Sequence, residues 1–205
     1  MDWTPSGATR LVLIRHGETA EACRGRCYGR LDVGLSPRGR VEAARTAAWL
    51  APAPLTAIYA SPLSRAVDSA RPIAESHGLA LQLDDALCEL DFGALEGLTW
   101  DEAAARHPEV YAAWMSHPTT VRFPGGESWA MLRARVLDRV RLFVAPRENE
   151  TIAIVAHGGV LRAILADALR VADEDIFRLD QSHSAVSVID YFRDTAVVRL
   201  LNRVS

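Results

Sequence analysis

Two short apolar stretches that each end in a histidine decide the fold of this chain. They are LVLIRHG at residues 11–17 and IAIVAHGG at residues 152–159. Each begins with a run of apolar residues typical of a strand buried on both faces, and each stops at a turn that contains glycine. We therefore expect two inner strands of one sheet, with His16 and His157 at their carboxyl ends.

Helix signals follow the strands. Ser36 and Pro37 form a cap and first-turn pair before a periodic stretch at residues 38–50. Ser61 and Pro62 repeat this chemistry ahead of residues 63–77, and Gly78 supplies a stop. Further helices are predicted at 127–144 and 160–169, and further strands at 57–60, 79–83, 185–192 and 196–201.

Strands that alternate with helices predict the α/β class, here a three-layer α/β/α sandwich with a mostly parallel central sheet. Because the chain has no internal repeat, charge block or linker, we expect one domain over residues 1–205. Residues 91–126 are punctuated by glycine and proline. We expect them to form a small helical cap inserted into that domain.

Composition excludes several classes of function. The chain has 205 residues, 49% of them apolar, and its 23 basic residues against 26 acidic ones give a net charge of −3. Without surplus positive charge, a nucleic-acid partner is not expected. Every basic residue is arginine, which excludes a pyridoxal aldimine and a nucleotide-binding lysine. Guanidinium groups remain, and these suit carboxylates and phosphates.

Location is also predicted from the sequence. The three cysteines are an odd number, the first residues lack the parts of a signal peptide, and no apolar run has membrane-spanning length. We therefore expect a cytoplasmic protein with reduced thiols and no membrane partner. Its oligomeric state stays open.

Ligands of such sheets bind beyond the carboxyl ends of the strands. Arg15 precedes His16, and Arg65 lies in the first turn of the helix after the second strand, at the same edge. A cation there is disfavoured by the helix dipole unless an anion lies between them. Either histidine alone could be a buried group bonded to a carbonyl, but both together favour function. The residues predict an anion pocket, and without metal-ligand spacing we expect the anion to be held without a metal.

Six motifs then resemble one family. RHGET at residues 15–19 resembles the signature of the histidine phosphatase superfamily, which includes cofactor-dependent phosphoglycerate mutases and many phosphatases. Five further motifs occur in the family's order: LSPxG at 35–39, SPLxRA at 61–66, ExxFGxxEG at 89–97, PGGES at 124–128 and AHGG at 156–159.

The resemblance implies a role for each matched residue. His16 is the nucleophile that becomes phosphohistidine, Arg15, Arg65 and His157 form the phosphate pocket, and Glu89 is the proton donor. Asp91 and Glu96 are rivals for the acid; the family match favours Glu89 and makes Glu96 structural.

The implied chemistry sets requirements on these groups. Phosphoryl transfer depends on positioning and on stabilising the phosphoryl oxygens, here by two guanidinium groups, a protonated His157 and the amide of Gly158. His16 must attack as a neutral imidazole, so a backbone carbonyl is expected to hold one ring nitrogen. Glu89 must be protonated when the alkoxide leaves, and must then deprotonate the attacking water.

Residues 25–32 align with the family's loop after the signature, so Arg26 and Tyr28 are expected to reach the substrate. An asparagine common in the family's phosphate pocket aligns on Ala22, which removes one neutral donor. The sequences at 25–29 and 88–93 resemble those of α-ribazole phosphatases and related bacterial phosphatases. The resemblance makes α-ribazole 5′-phosphate a candidate substrate.

We therefore expect a metal-independent, cofactor-free phosphatase that acts on a small phosphorylated metabolite. A phosphoglycerate mutase is one alternative, although mutases carry a longer cap with lysine at the second phosphate. A noncatalytic phosphoryl-binding relative is another, since a fold alone does not confer activity. The intact set of Arg15, His16, Arg65, Glu89 and His157 argues against it.

Overall fold

The computed structural model describes Trp3 and residues 7–145 and 147–204, apart from the side chain of Ala22. Within these residues six strands form one sheet in the order β3-β2-β4-β1-β5-β6. In chain order the strands are β1 Thr9–Arg15, β2 Leu55–Ala60, β3 Leu81–Leu83, β4 Thr151–Ala156, β5 Val186–Tyr191 and β6 Ala196–Arg203. The predicted α/β class is confirmed.

The sheet is mostly parallel, as predicted. β1 pairs in parallel with β4, and β2 pairs in parallel with both β3 and β4. β5 pairs antiparallel with β1 and with β6. The parallel strands β2, β4 and β1 are neighbours, so their carboxyl ends reach the same edge of the sheet.

Helices cover both faces. They are α1 Pro37–Leu50, α2 Ser64–His77, α3 Trp100–Arg106, α4 Pro108–Ser116, α5 Trp129–Val144 and α6 Gly158–Leu169. Short 3-10 turns lie at Glu21–Cys23, Asp85–Leu87, Gly93–Leu95 and Asp173–Arg178. The turn at Gly93–Leu95 lies in the stretch 91–126, for which short helices were predicted; the other three turns were not predicted from the sequence.

Alternate residues of the inner strands supply two cores. Val12 and Ile14 pack with residues of α1 and α2 on one face. Leu11 and Leu13 pack with residues of α5 and α6 on the other face. Strands with apolar side chains on both faces explain why the two decisive stretches are continuously apolar rather than alternating.

The helix caps agree with the sequence at one site and not at another. Ser36 accepts a hydrogen bond from the Gly39 amide at the start of α1, with Pro37 in the first turn. The prediction that Ser61 caps α2 is wrong, because the N-cap is Leu63, which makes no side-chain cap. Ser61 Oγ instead accepts from the Leu63 amide at 3.3 Å, which orders the turn before the helix.

The segment 91–126 contains α3, α4 and the turn at Gly93–Leu95. Its side chains join the core on the α5 and α6 face through Leu95, Ala103 and Phe123. The segment is therefore packed against the sheet domain. Its role as a cap, and the single-domain boundary of residues 1–205, stay predictions.

Candidate active site

The two strand-end histidines meet at the sheet edge. β1 and β4 are paired so that Arg15 lies opposite Ala156. His16 directly follows Arg15, and His157 directly follows Ala156. Their ring centroids lie 5.2 Å apart with an interplanar angle of 59°. His16 is 2% exposed and His157 is fully buried. The juxtaposition expected from the sequence is present.

His16 is held in one tautomer by its own turn. Its Nδ1 lies 2.8 Å from the carbonyl oxygen of Gly17, and because a carbonyl can only accept, Nδ1 carries the proton. Burial, together with Arg15 and Arg65, lowers the pKa of His16 well below its ordinary value. The imidazole is therefore neutral, with the Nε2 lone pair available.

A buried serine orders the turn that follows His16. The Gly17 amide donates to Ser69 Oγ at 3.0 Å, and Ser69 Oγ donates to the Arg65 carbonyl at 2.7 Å. A methyl group added to Gly17 would lie 2.5 Å from the Gly39 carbonyl oxygen. The first turn of α1 therefore touches the loop after His16. A methyl group added to Gly39 would lie 2.1 Å from the Glu18 carbonyl oxygen, which explains the glycine in the LSPxG motif.

Arg65 joins the second histidine to a loop. Its Nε donates to Nδ1 of His157 at 3.2 Å. Its terminal nitrogens donate to the carbonyl oxygens of Leu31 at 2.9 Å and Gly29 at 2.6 Å. The side chain is fully buried. The partial negative charge of these carbonyl oxygens also offsets the unfavourable position of the Arg65 cation in the first turn of α2. A bound anion is therefore not the sole group that could stabilise this cation.

The contacts of His157 are those of a neutral imidazole, in contrast to the protonated one expected from the sequence. Its Nδ1 accepts a hydrogen bond from Arg65, so this nitrogen carries no proton. Burial, followed by the nearby charge of Arg65, lowers the pKa of His157 well below its ordinary value. His157 is a neutral imidazole with the proton on Nε2, and that nitrogen has no hydrogen-bond partner among the described residues.

Arg15 approaches the same place from β1. One terminal nitrogen donates to the Gln181 carbonyl oxygen, while Nε is buried without a partner in the described part of the chain. A methyl group added to Gly158 would lie 3.8 Å from Arg15 Nε. The guanidinium of Arg15 and the N-terminus of α6 are therefore neighbours.

Glu89 reaches this edge from the turn after β3. Its Oε2 accepts from the Gly159 amide at 3.0 Å, and its Oε1 accepts from the Leu90 amide at 2.9 Å. Gly159 lies in the first turn of α6, where free amides and the helix dipole favour an acceptor. Arg135 donates to the Glu89 carbonyl oxygen at 3.1 Å and so holds its backbone.

These groups border a cavity of about 140 Å³, here called the histidine cavity, which is lined by Arg15, His16, Arg26, Tyr28, Arg65 and Glu89, together with Cys27, Phe92 and Trp100. His157 and Gly158 are buried beside this lining and are not part of it. The structure thus brings the predicted residues together at one edge.

Arg26 and Tyr28 lie on the loop side of the histidine cavity. Arg26 donates to the Gly97 carbonyl oxygen at 2.9 Å and lies 3.6 Å from a Glu102 oxygen, so its charge is partly compensated. The Tyr28 hydroxyl accepts from Thr19 Oγ1 at 3.2 Å. The guanidinium carbon of Arg65 lies 5.4 Å from the centre of the Tyr28 ring.

Glu96 organises the loop that holds Arg65. Its carboxylate accepts from the amides of Gly29, Arg30, Leu31 and Phe92 at 2.8 to 3.1 Å. Two of those residues, Gly29 and Leu31, supply the carbonyls that bind Arg65. The contacts are those of a structural carboxylate, as expected from the sequence.

Three residues near the site were missed by sequence reasoning. The ring of His183 lies 5.6 Å from that of His16, and burial, followed by Arg15, lowers its pKa to about 4. Arg135 holds Glu89, and Arg162 lies beside Gly158. The one available signal for His183 was its position just before β5, the antiparallel neighbour of β1. The side chain of Ala22 lies outside the described residues.

Within the described residues, no three His, Cys, Asp or Glu side chains are grouped so that they could hold a metal ion. Among the helices of that same part, none combines the length and apolarity needed to cross a bilayer. Cys23, Cys27 and Cys88 are free thiols.

Comparison with known proteins identifies the family. The model of the histidine phosphatase superfamily, branch 1, matches residues 11–204. The chain therefore belongs to the histidine phosphatase superfamily, as the sequence motifs indicated, and it carries that family's phosphatase fold.

Several relatives bear names that match this assignment. Phosphoserine phosphatase 1 of Hydrogenobacter thermophilus is 32% identical over 193 residues, which cover 94% of this chain and 92% of that protein. The α-ribazole phosphatase of Shigella flexneri has a solved structure that is 28% identical, with a TM-score of 0.87 and coverage of 96% of this chain and 97% of that one. These names support the predicted enzyme class.

A further relative is longer than this chain. The bifunctional protein Rv2228c of Mycobacterium tuberculosis is 35% identical over 205 residues, which cover 98% of this chain and 56% of that protein. The chain thus spans little more than half the length of that curated relative.

Proposed function

We propose that the chain hydrolyses small phosphomonoesters without a metal ion, through a phosphohistidine intermediate on His16. One observation carries the proposal. The Nδ1 proton of His16 is bound to the Gly17 carbonyl, which leaves Nε2 as a nucleophile in a cavity that also contains Arg15, Arg65 and Glu89.

In the first step, Nε2 of His16 attacks phosphorus and the bond between phosphorus and the alcohol oxygen breaks. The proton of a protonated Glu89 passes to that oxygen, so the leaving group departs as a neutral alcohol. The guanidinium groups of Arg15 and Arg65 stabilise the charge on the transferring oxygens. The neutral His157 adds an Nε2–H donor.

In the second step, Glu89 takes a proton from water as the water oxygen attacks phosphorus. The bond between phosphorus and Nε2 breaks, which restores neutral His16 and releases inorganic phosphate. Glu89 ends the cycle protonated again, so both steps balance with water as the sole co-reactant.

The test is hydrolysis of p-nitrophenyl phosphate in the presence of a chelator, with His16→Ala as the variant. We expect unchanged turnover with chelator, loss of turnover in His16→Ala, and a base-stable, acid-labile phosphoryl group on the unmodified protein. The exposed His117 provides a control, and His117→Ala is expected to retain activity. Full turnover in His16→Ala, or complete inhibition by the chelator, would overturn the proposal.

A mutase is the competing activity. We propose hydrolysis rather than isomerisation because the chain has no lysine to hold a second phosphate, and a phosphohistidine accessible to water hydrolyses. With 3-phosphoglycerate, phosphate release is expected to exceed formation of 2-phosphoglycerate. Dominant isomerisation would contradict this assignment.

Candidate substrates and a cap over the site are also part of the proposal. Candidate substrates are α-ribazole 5′-phosphate and phosphoserine, since relatives bear these names. Residues 91–126 are proposed to cap the site, supported by Phe92 and Trp100 in the lining of the histidine cavity. A cytoplasmic location and the absence of a nucleic-acid partner stay predictions.

A further inference from the structure

A second cavity adjoins the histidine cavity. It has a volume of about 120 Å³ and is here called the aromatic cavity, because Phe92, Trp114, Trp129 and Phe177 line it. Glu89 and Phe92 border both cavities. On the proposed function, a phosphoryl group at His16 would direct the leaving oxygen toward Glu89 and the alcohol portion toward the aromatic cavity.

The walls of this cavity are built from rings that contact one another edge to face. The ring centroid of Trp114 lies 5.7 Å from that of Phe92 and 6.0 Å from that of Phe177, with interplanar angles of 86° and 89°. Leu90, Leu132 and Ile176 complete an apolar surface. Phe177 is 49% exposed, so one wall loses further contact with water when a ligand covers it.

Besides Glu89 and Thr119, the polar groups of Trp129 and Arg162 interrupt the apolar surface. Trp129 is 5% exposed, and its indole N–H has no hydrogen-bond partner in the described part of the protein. Arg162 donates through Nε to the Leu179 carbonyl oxygen at 3.0 Å, and its guanidinium carbon lies 5.2 Å from the centre of the Phe177 ring. A mostly apolar cavity with a few polar groups is the usual form of a small-molecule site.

We infer that the aromatic cavity is the binding site for the alcohol portion of the substrate, and that it selects an alcohol carrying one flat apolar ring. This inference rests on the proposed phosphatase function. The size agrees, since an engineered apolar cavity of about 150 Å³ admits benzene. A compact amino-acid alcohol such as that of phosphoserine would leave the aromatic walls in contact with water.

The test compares phenethyl phosphate with ethyl phosphate, two esters of primary alcohols of similar basicity. Burial of an aromatic side chain contributes about 1.5–3 kcal/mol, which corresponds to roughly a 10- to 150-fold change. We expect kcat/KM to be at least about tenfold higher for phenethyl phosphate than for ethyl phosphate, and also higher than for phosphoserine.

Variants of the cavity lining test whether the aromatic cavity causes the preference for phenethyl phosphate. Phe177→Ala and Trp114→Ala are each expected to remove most of the advantage of phenethyl phosphate over ethyl phosphate. Met115 lies beside Trp114 in α4 but is 64% exposed and does not line the cavity. Met115→Ala is the matched control and is expected to keep the advantage.

A binding measurement separates the two proposals. Phenethylphosphonate, which cannot be hydrolysed, is expected to bind His16→Ala about tenfold more tightly than ethylphosphonate, and Phe177→Ala is expected to abolish that difference. Hydrolysis of all esters without a ring preference would overturn the aromatic site alone. Phosphonate binding with ring preference but no hydrolysis by the unmodified protein would overturn the phosphatase function and keep the site. Equal binding of the two phosphonates would overturn the site.

Discussion

Arg65 donates its Nε–H to Nδ1 of His157 across 3.2 Å, and this contact sets the charge of the site. Because Nδ1 accepts, His157 is neutral and presents Nε2–H as a donor. The positive charge at the sheet edge therefore belongs to guanidinium groups, which stay charged across the physiological pH range. A neutral His157 can donate to a phosphoryl oxygen without first taking up a proton.

Acid destabilisation is the first prediction. The pKa of His183 is lowered to about 4, and those of His16 and His157 are lowered well below their ordinary value. The unfolded chain therefore takes up protons near pH 6.5, before the folded protein does. Stability from these groups is complete above about pH 6.5 and is lost as the pH falls toward their folded pKa values.

Urea unfolding at pH 7, 6 and 5.5 tests this dependence. At pH 6 the free energy of unfolding is expected to fall by about 1 kcal/mol per pH unit for each of the three histidines. His183→Asn is expected to reduce the slope by about that amount, and His117→Asn, at an exposed position, is expected to leave it unchanged. An identical slope in His183→Asn and the unmodified protein would refute the prediction.

Glu89→Gln is expected to act differently on two kinds of leaving group. An alkoxide needs a proton, so alcohol release from an alkyl phosphate in a single turnover is expected to slow by about 10²- to 10⁴-fold. p-Nitrophenolate leaves without one, so its first-turnover release is expected to persist while phosphohistidine accumulates. Phosphate binding is expected to stay largely intact.

Rapid-quench kinetics measure these first-turnover rates. Glu75→Gln, at an exposed position of α2, is the control with the same chemical change. Equal slowing of both esters, or full turnover in Glu89→Gln, would move the acid role to another residue.

Gly159→Ala tests the placement of Glu89 without removing it. The added methyl group would lie 2.4 Å from Glu89 Oε1 and 3.4 Å from Leu132 Cδ1, so the carboxylate must move. We expect kcat to fall at least about tenfold, with a change in unfolding free energy below about 1 kcal/mol. A methyl group added to Gly34 would have no atom within 4 Å. The control variant Gly34→Ala is therefore expected to keep both kcat and the unfolding free energy. Unchanged kcat in Gly159→Ala would show that this contact is dispensable.

Glu96→Ala removes the acceptor of four backbone amides. Because hydrogen bonds to a charged acceptor contribute about 1.5–3 kcal/mol each and water replaces some of them, we expect a loss of about 3 kcal/mol of stability. KM is expected to rise, since the loop carbonyls that hold Arg65 become mobile. Glu109→Ala, at an exposed position, is the control. Chemical denaturation decides the question, and a loss below about 1 kcal/mol would contradict the structural role.

The site residues that directly follow a recognisable strand or begin a recognisable helix were predictable from the sequence. His16 and His157 each follow a strand recognisable from its apolar run, and parallel pairing brings such ends together. The position of Arg65 was predictable for the same reason, because it lies in the first turn of the helix that follows β2. Arg162 could not be found from the sequence, because its proximity depends on how the side of α6 packs. His183 offered only its position just before β5.

The sequence by itself determined the two buried inner strands, the α/β class, the edge at which the histidines lie and the motifs of the family. These follow from local periodicity and from the geometry of parallel strands. Only the tertiary structure decided that His157 is neutral, that Glu96 holds the Arg65 loop, and that aromatic rings from separate segments enclose a cavity beside Glu89. Protonation and cavity shape depend on burial and on contacts between residues distant in sequence, which no local pattern specifies.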